Sequence, residues 1–75
     1  MKLSYHLDTD SLYIDLLETP SVESREISAG VVLDDDAAGH VVGIDIDNAS
    51  QKVALNKLTL NKLPFILQTI RASPL

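Results

Sequence analysis

Ser24-Arg25-Glu26-Ile27-Ser28-Ala29-Gly30-Val31-Val32-Leu33-Asp34-Asp35-Asp36-Ala37-Ala38-Gly39-His40-Val41-Val42-Gly43-Ile44-Asp45-Ile46-Asp47 is the stretch that decides the fold. Two apolar arms, Ile27 to Leu33 and Val41 to Ile46, flank an acidic turn from Asp34 to His40. Ile27, Ala29, Val31 and Leu33 recur at period two, and so do Val42, Ile44 and Ile46. Such alternation belongs to a strand with one apolar face, and two such arms around a turn form a β-hairpin. The turn exceeds a two-residue loop, and Gly39 is the residue best able to take positive φ as the chain re-enters the second arm. Gly30 and Gly43 lie inside the arms, where a bulge or a close backbone approach explains a missing side chain.

Upstream, Leu3, Tyr5 and Leu7 alternate with Lys2, Ser4 and His6 until Asp8-Thr9-Asp10-Ser11, whose side chains favour turn backbone. Leu12, Ile14 and Leu16 then alternate with Tyr13, Asp15 and Leu17, and Glu18-Thr19-Pro20-Ser21 ends the run. Strands are thus expected at about 2–7, 12–17, 24–33 and 41–46. Consecutive strands with short connections predict an antiparallel meander. Downstream, Asn48-Ala49-Ser50-Gln51 carries capping side chains, which predicts a helical turn from Ala49 to Val53. Leu58-Thr59-Leu60 fits a fifth strand over 58–61, ended by Pro64. Phe65 to Arg71 has apolar residues at helical spacing, so a tail at 65–72 is expected as a short helical segment able to cover the sheet. Leu55-Asn56-Lys57-Leu58 and Leu60-Asn61-Lys62-Leu63 form a near repeat offset by five, which matches neither period and reads as coincidence. The expected fold is α+β, mainly β: an antiparallel β-meander of four to five strands with a short C-terminal helical segment, in a single domain over 1–75.

The 75 residues suffice for one domain, and a chain of this size buries only roughly 60% of the surface its unfolded form exposes. Cysteine is absent and no His/Cys metal cluster is present, which leaves oligomerisation as the remaining way to stabilise so small a core. A homodimer or larger homo-oligomer is expected. Its candidate interface is the apolar surplus after the fourth strand: Leu55, Leu58, Leu60, Leu63, Phe65, Ile66, Leu67 and Ile70. The hydrophobic fraction of 45% does not indicate disorder. A net charge of −5 repels phosphate backbones, so nucleic acid is disfavoured and a basic protein partner is suited. Met1-Lys2-Leu3-Ser4-Tyr5 lacks the apolar core of a signal peptide, and no apolar run reaches the ~18 residues of a membrane span. A cytoplasmic location without membrane association is expected.

Asp34, Asp36, Gly39 and Asp45 fall at places of an EF-hand-like loop, but Ala38 offers no ligand oxygen, Asp45 stands where a longer bidentate Glu is needed, and strands flank the loop. A solvated hairpin tip whose charges discourage edge pairing is the better reading, and no metal or cofactor is expected. Asp15, Asp45 and Asp47 alternate with core-facing residues and should share the outer side of the sheet. Paired carboxylates carry glycoside hydrolysis where a raised pKa separates acid from base, so a hydrolase-type use of these three is the alternative to a solvated polar face. His6 and His40 lack the further ligand or nucleophile that metal or triad chemistry requires, and read as surface histidines. No residue is assigned a catalytic role.

Tyr5-His6-Leu7-Asp8-Thr9-Asp10-Ser11-Leu12-Tyr13-Ile14, Ile27-Ser28-Ala29-Gly30-Val31-Val32-Leu33-Asp34, and Gly39-His40-Val41-Val42-Gly43-Ile44-Asp45-Ile46 with Ala49-Ser50 together resemble a family of small uncharacterised prokaryotic proteins, domain of unknown function 2283. The resemblance spans about two thirds of the chain, and departs at His6, where the family often has Asp, and at Asp45, where it often has Glu. It implies bacterial origin and, from the gene neighbourhoods of some members, a candidate antitoxin that neutralises a small toxin. A self-associating, non-enzymatic binding or assembly module is the function expected.

Overall fold

The computed structural model describes residues 1–64. Five strands, β1 (Lys2–His6), β2 (Ser11–Asp15), β3 (Glu23–Ser28), β4 (Val31–Asp35) and β5 (Val41–Ile46), form one antiparallel sheet in the order β1-β2-β5-β4-β3. The hairpin around the acidic turn is β4 and β5, with Val31 opposite Ile46 and Leu33 opposite Ile44.

The strand expected over 24–33 is in fact two. The chain reverses at Ala29-Gly30, where Gly30 takes φ 73°, and β3 folds back onto β4. Glycine has no steric penalty in that conformation, so Gly30 marks a hairpin turn instead of a bulge. The bulge lies a turn earlier, between Glu26 and Ser28, and leaves Ile27 56% exposed.

The simple meander is also corrected. The segment 16–22 passes across the ends of β5 and β4 before β3 begins. The amides of Leu16 and Leu17 bond the Val42 carbonyl (2.8 and 3.3 Å), and the Val22 amide bonds the Asp35 carbonyl (2.8 Å). This hop leaves a vacancy beside β2 that β5 fills, so β5 pairs on both sides.

The fifth strand expected at 58–61 does not form: residues 57–61 have no regular structure, and Leu58 and Leu60 are 67% and 43% exposed. Three alternating residues between two Asn-Lys pairs are too few to hold a strand without an adjoining edge. The helical turn expected from Ala49 to Val53 is a 3-10 turn, Ala49–Gln51, with the Lys52 and Val53 amides bonding the Ala49 carbonyl (3.0 and 2.9 Å). No α-helix occurs among the described residues, and the helical segment expected at 65–72 lies outside them.

Strand register divides the sheet into unlike faces. Leu3, Tyr5, Leu12, Ile14, Ile44, Ile46, Val31 and Leu33 share one side, and Ser4, Tyr13, Asp15, Gly43, Asp45, Val32 and Asp34 share the other. Leu12, Val42, Ile46 and Ala49 are the buried apolar residues, with Tyr5, Ile14, Ile44 and Val53 packed beside the cluster of Leu12, Ile46 and Ala49. Among the described residues no large side chain is fully buried. Among the described residues the core is thin, because a single sheet layer capped by one 3-10 turn cannot enclose its apolar side.

Candidate functional site

The polar face is built around Tyr13. Position 13 alternates with the core residues Leu12 and Ile14 and so projects to the outer side. From β2 its ring lies across β5 at Gly43, and its hydroxyl donates to Asp34 Oδ2 on β4 at 2.9 Å. A Cβ at position 43 would fall 2.7 Å from Tyr13 Cζ, so only glycine leaves room for the ring. Gly43 therefore answers to a close approach, by a side chain in place of the expected backbone. Ser24 Oγ on β3 donates to the other oxygen of Asp34 at 2.7 Å, so β2, β4 and β3 are joined above the sheet. The hydrogen bond to Asp34, then burial and the acidic surroundings, push the Tyr13 hydroxyl up to about 12.

Asp45 faces Tyr13 across the β2–β5 ladder and is partly buried. Burial, then repulsion from Asp47 and Asp34, raises its pKa, and His6 opposes the shift. Asp15 lies on the same face opposite Gly43, while Asp47 follows the end of β5 and is exposed. The expected trio therefore shares a side of the sheet. The ring of Tyr13 over Gly43 occupies the place between Asp15 and Asp34. An open groove of about 380 Å³ beside the β2–β3 connection is lined by Tyr13, Asp15, Leu17, Glu18, Pro20 and Val42, among others, but by neither Asp45 nor Asp47.

The acidic turn differs from a solvated tip, because Asp35 and Asp36 are only 6% and 8% exposed. Each of the three consecutive aspartates has its own partner. Asp34 is held by Tyr13 and Ser24. Asp35 accepts from Arg25 Nε and a terminal guanidinium nitrogen at 2.6 and 3.2 Å, a two-pronged pair between β4 and β3. Asp36 Oδ1 accepts the amides of Ala38 and His40 at 2.9 and 2.8 Å, which shapes the loop and, led by the His40 amide, lowers the Asp36 pKa. Gly39 takes positive φ (86°) here, as expected. His40 lies 3.3 Å from Asp36 with its ring mostly in solvent, and His6 is exposed. Among the described residues no group of three or more His, Cys, Asp or Glu side chains is placed to hold a metal ion.

A second tie lies at the margin of the apolar side. Asp10, in the β1–β2 turn at φ 51°, accepts from Tyr5 Oη (2.8 Å), the Ser50 amide (3.0 Å) and Ser50 Oγ (2.6 Å), and its carbonyl accepts the Ala49 amide (2.9 Å). The Ser50 hydroxyl is the leading cause of its lowered pKa, and Asp10 in turn raises that of Tyr5. The first hairpin is thus fastened to the 3-10 turn after β5. Sequence reasoning missed this role of Asp10. The available signal was an acid ending a turn beside Ser11, together with unpaired capping residues at Asn48 to Gln51.

Among the described residues these features define a small, single-layer antiparallel β domain with an acidic face and a partly open apolar face. The chain belongs to the family described as Protein of unknown function (DUF2283), whose model matches residues 2–50. The match takes in all five strands and both ends of the Asp10 tie. No curated protein and no solved structure matches the chain. Among the described residues no helix is long and apolar enough to cross a membrane.

Proposed function

We propose that this protein is a small non-enzymatic binding and assembly module of the bacterial cytoplasm, which self-associates through its apolar side and offers its acidic face to a basic protein partner in the manner of an antitoxin. The thin core is the observation that carries this reading: among the described residues only Leu12, Val42, Ile46 and Ala49 are buried apolar residues, while Leu3, Leu55, Leu58 and Leu60 are exposed. Leu63 is half-buried, and the remaining candidate interface residues, Phe65, Ile66, Leu67 and Ile70, lie outside the described residues. Burying apolar surface against a second copy contributes about 25 cal/mol per Å², and a stable interface covers about 800 Å² on each partner. Asp15, Asp34, Asp45 and Asp47 lie away from that contact and supply charge for a basic partner.

Hydrolase-type use of Asp15, Asp45 and Asp47 has one point in its favour, the raised pKa of Asp45. Binding is preferred because the groove beside the β2–β3 connection takes in Asp15 but neither Asp45 nor Asp47. Sedimentation velocity over a concentration series tests the reading. The full chain should run as a dimer or larger species that dissociates on dilution, and Leu58→Glu with Leu60→Glu should weaken it. A monomer at high micromolar concentration overturns it.

A further inference from the structure

The two edges of the sheet are built differently. β3, at one edge, carries Glu23, Arg25 and Glu26 and is kinked by the bulge before Ser28, features that turn away an incoming strand. β1, at the other edge, pairs with β2 in unbroken register from Lys2–Asp15 to His6–Ser11. It contains no proline and, unlike every other strand, no acid. Among the described residues no strand pairs with the outer side of β1, and a regular edge without acids or proline is a template for another strand.

The backbone parity of β1 follows from the ladder. In an antiparallel sheet, successive residues turn their N–H and C=O to alternate sides. The Leu16 amide bonds the Val42 carbonyl (2.8 Å), which turns even-numbered positions of β2 toward β5 and odd-numbered ones toward β1. The Asp47 amide on the Gly30 carbonyl (2.8 Å) gives β5 the same parity from its other side. Ser4 pairs with Tyr13, so Lys2, Ser4 and His6 bond inward. The N–H and C=O groups of Leu3 and Tyr5 face the open edge.

We propose that β1 pairs antiparallel with β1 of a second copy of this chain about a two-fold axis at Ser4, joining two five-stranded sheets into one. This rests on the self-association proposed above and adds to the apolar-side contact a joint along the sheet edge, which sets the two apolar sides next to each other. The symmetric register sets Leu3 against Tyr5 of the partner subunit, and the outward groups of both residues then meet as a hydrogen-bonded pair. Ser4 meets Ser4 of the partner subunit in the closer, non-hydrogen-bonded kind of pair. Leu3, 45% exposed in the single chain, gains an apolar neighbour on the same side of the sheet, and the two apolar faces become continuous. Lys2 meets the partner's His6, so no acids oppose each other across the joint.

The chain has no cysteine, so Ser4→Cys gives a single reporter on the axis. Cα atoms in such a pair lie about 4.5 Å apart, within disulfide reach. Most of the Ser4→Cys full-length chain should become a disulfide dimer on mild oxidation, while Glu26→Cys on the opposite edge should not. Leu3→Pro removes an outward N–H that β1–β2 pairing does not use, and should weaken the dimer about thirtyfold, one hydrogen bond at each symmetry-related position, with the β circular dichroism retained. If Leu3→Pro unfolds the chain, the Ser4→Cys cross-link decides alone. A parent dimer in which Ser4→Cys fails to cross-link overturns the β1 joint and leaves self-association standing. A monomeric parent overturns both.

Discussion

Gly43→Ala tests the bridge across the polar face. The added Cβ would lie 2.7 Å from Tyr13 Cζ, and β5 is held by ladders on both sides, so the ring must swing away. Its hydrogen bond to Asp34 is then lost. A hydrogen bond to a charged acceptor contributes about 1.5–3 kcal/mol, and replacing glycine within a strand returns about 0.5–1 kcal/mol. The net expectation is a loss of about 1–2 kcal/mol, which lowers Tm by about 5–15 °C in a domain of this size. Thermal and urea unfolding followed by circular dichroism measure it. Tyr13→Phe should cost a similar amount, and the double variant should cost less than the sum because one bond cannot be lost twice. Ultraviolet titration gives a second readout: the Tyr13 hydroxyl, pushed up to about 12 in the parent, should return toward about 10 in Gly43→Ala. Because the folded-state value is raised, this stabilisation is complete below about pH 10 and is lost as pH rises toward 12. A Gly43→Ala protein as stable as the parent, with an unchanged tyrosine titration, would refute the argument.

Asp10→Ala should lower Tm more than Asp10→Asn, because alanine loses every side-chain bond to Tyr5 and Ser50 and is also strained at φ 51°, whereas asparagine keeps an acceptor and tolerates that backbone. Asp10 and Asp36 have lowered pKa values, so their contribution is present above the ordinary carboxylate range and lost as pH falls below it. Acid unfolding should therefore begin at higher pH in the parent than in a variant whose native state no longer depends on those charges. Asp45 has the opposite shift, and its charged form weighs against folding above its raised pKa. Asp45→Asn should raise Tm at pH 7, with the gain vanishing near pH 3 in calorimetry. Ile44→Asp places a carboxylate between Ile14 and Leu33 on the apolar side and should cost about 2–4 kcal/mol. A cooperatively folded Ile44→Asp chain with parental urea midpoint would show the face assignment to be off by one residue.

Period-two alternation was enough to place β1, β2 and β5, because a strand with one buried face writes that requirement into consecutive side chains. It also sorted Leu12, Ile14, Ile44 and Ile46 from Tyr13, Asp15 and Asp45. Alternation failed at 24–33, where it continues through a glycine and cannot distinguish a long strand from two strands joined at Gly30. The groups that join distant positions were not legible either. Tyr13 and Asp34 are 21 residues apart, and Ser50 and Asp10 are 40 apart, so nothing local couples them. The acidic triplet looked uniform as sequence, yet its members face different directions and meet different donors.

Composition, the strand alternation and the glycine in the acidic turn determined by themselves that this is a small, acidic, mainly β chain with an apolar and a polar side. Those properties are local, since each depends on neighbouring residues and the period of the backbone. Only the tertiary structure decided the strand order, the central place of β5 and the pairing of β2 with it. Pairing of strands is a choice among alternatives with similar local patterns. It is settled by which long-range contacts can be made together: the 16–22 hop, the ring of Tyr13 over Gly43, and Asp10 on the 3-10 turn.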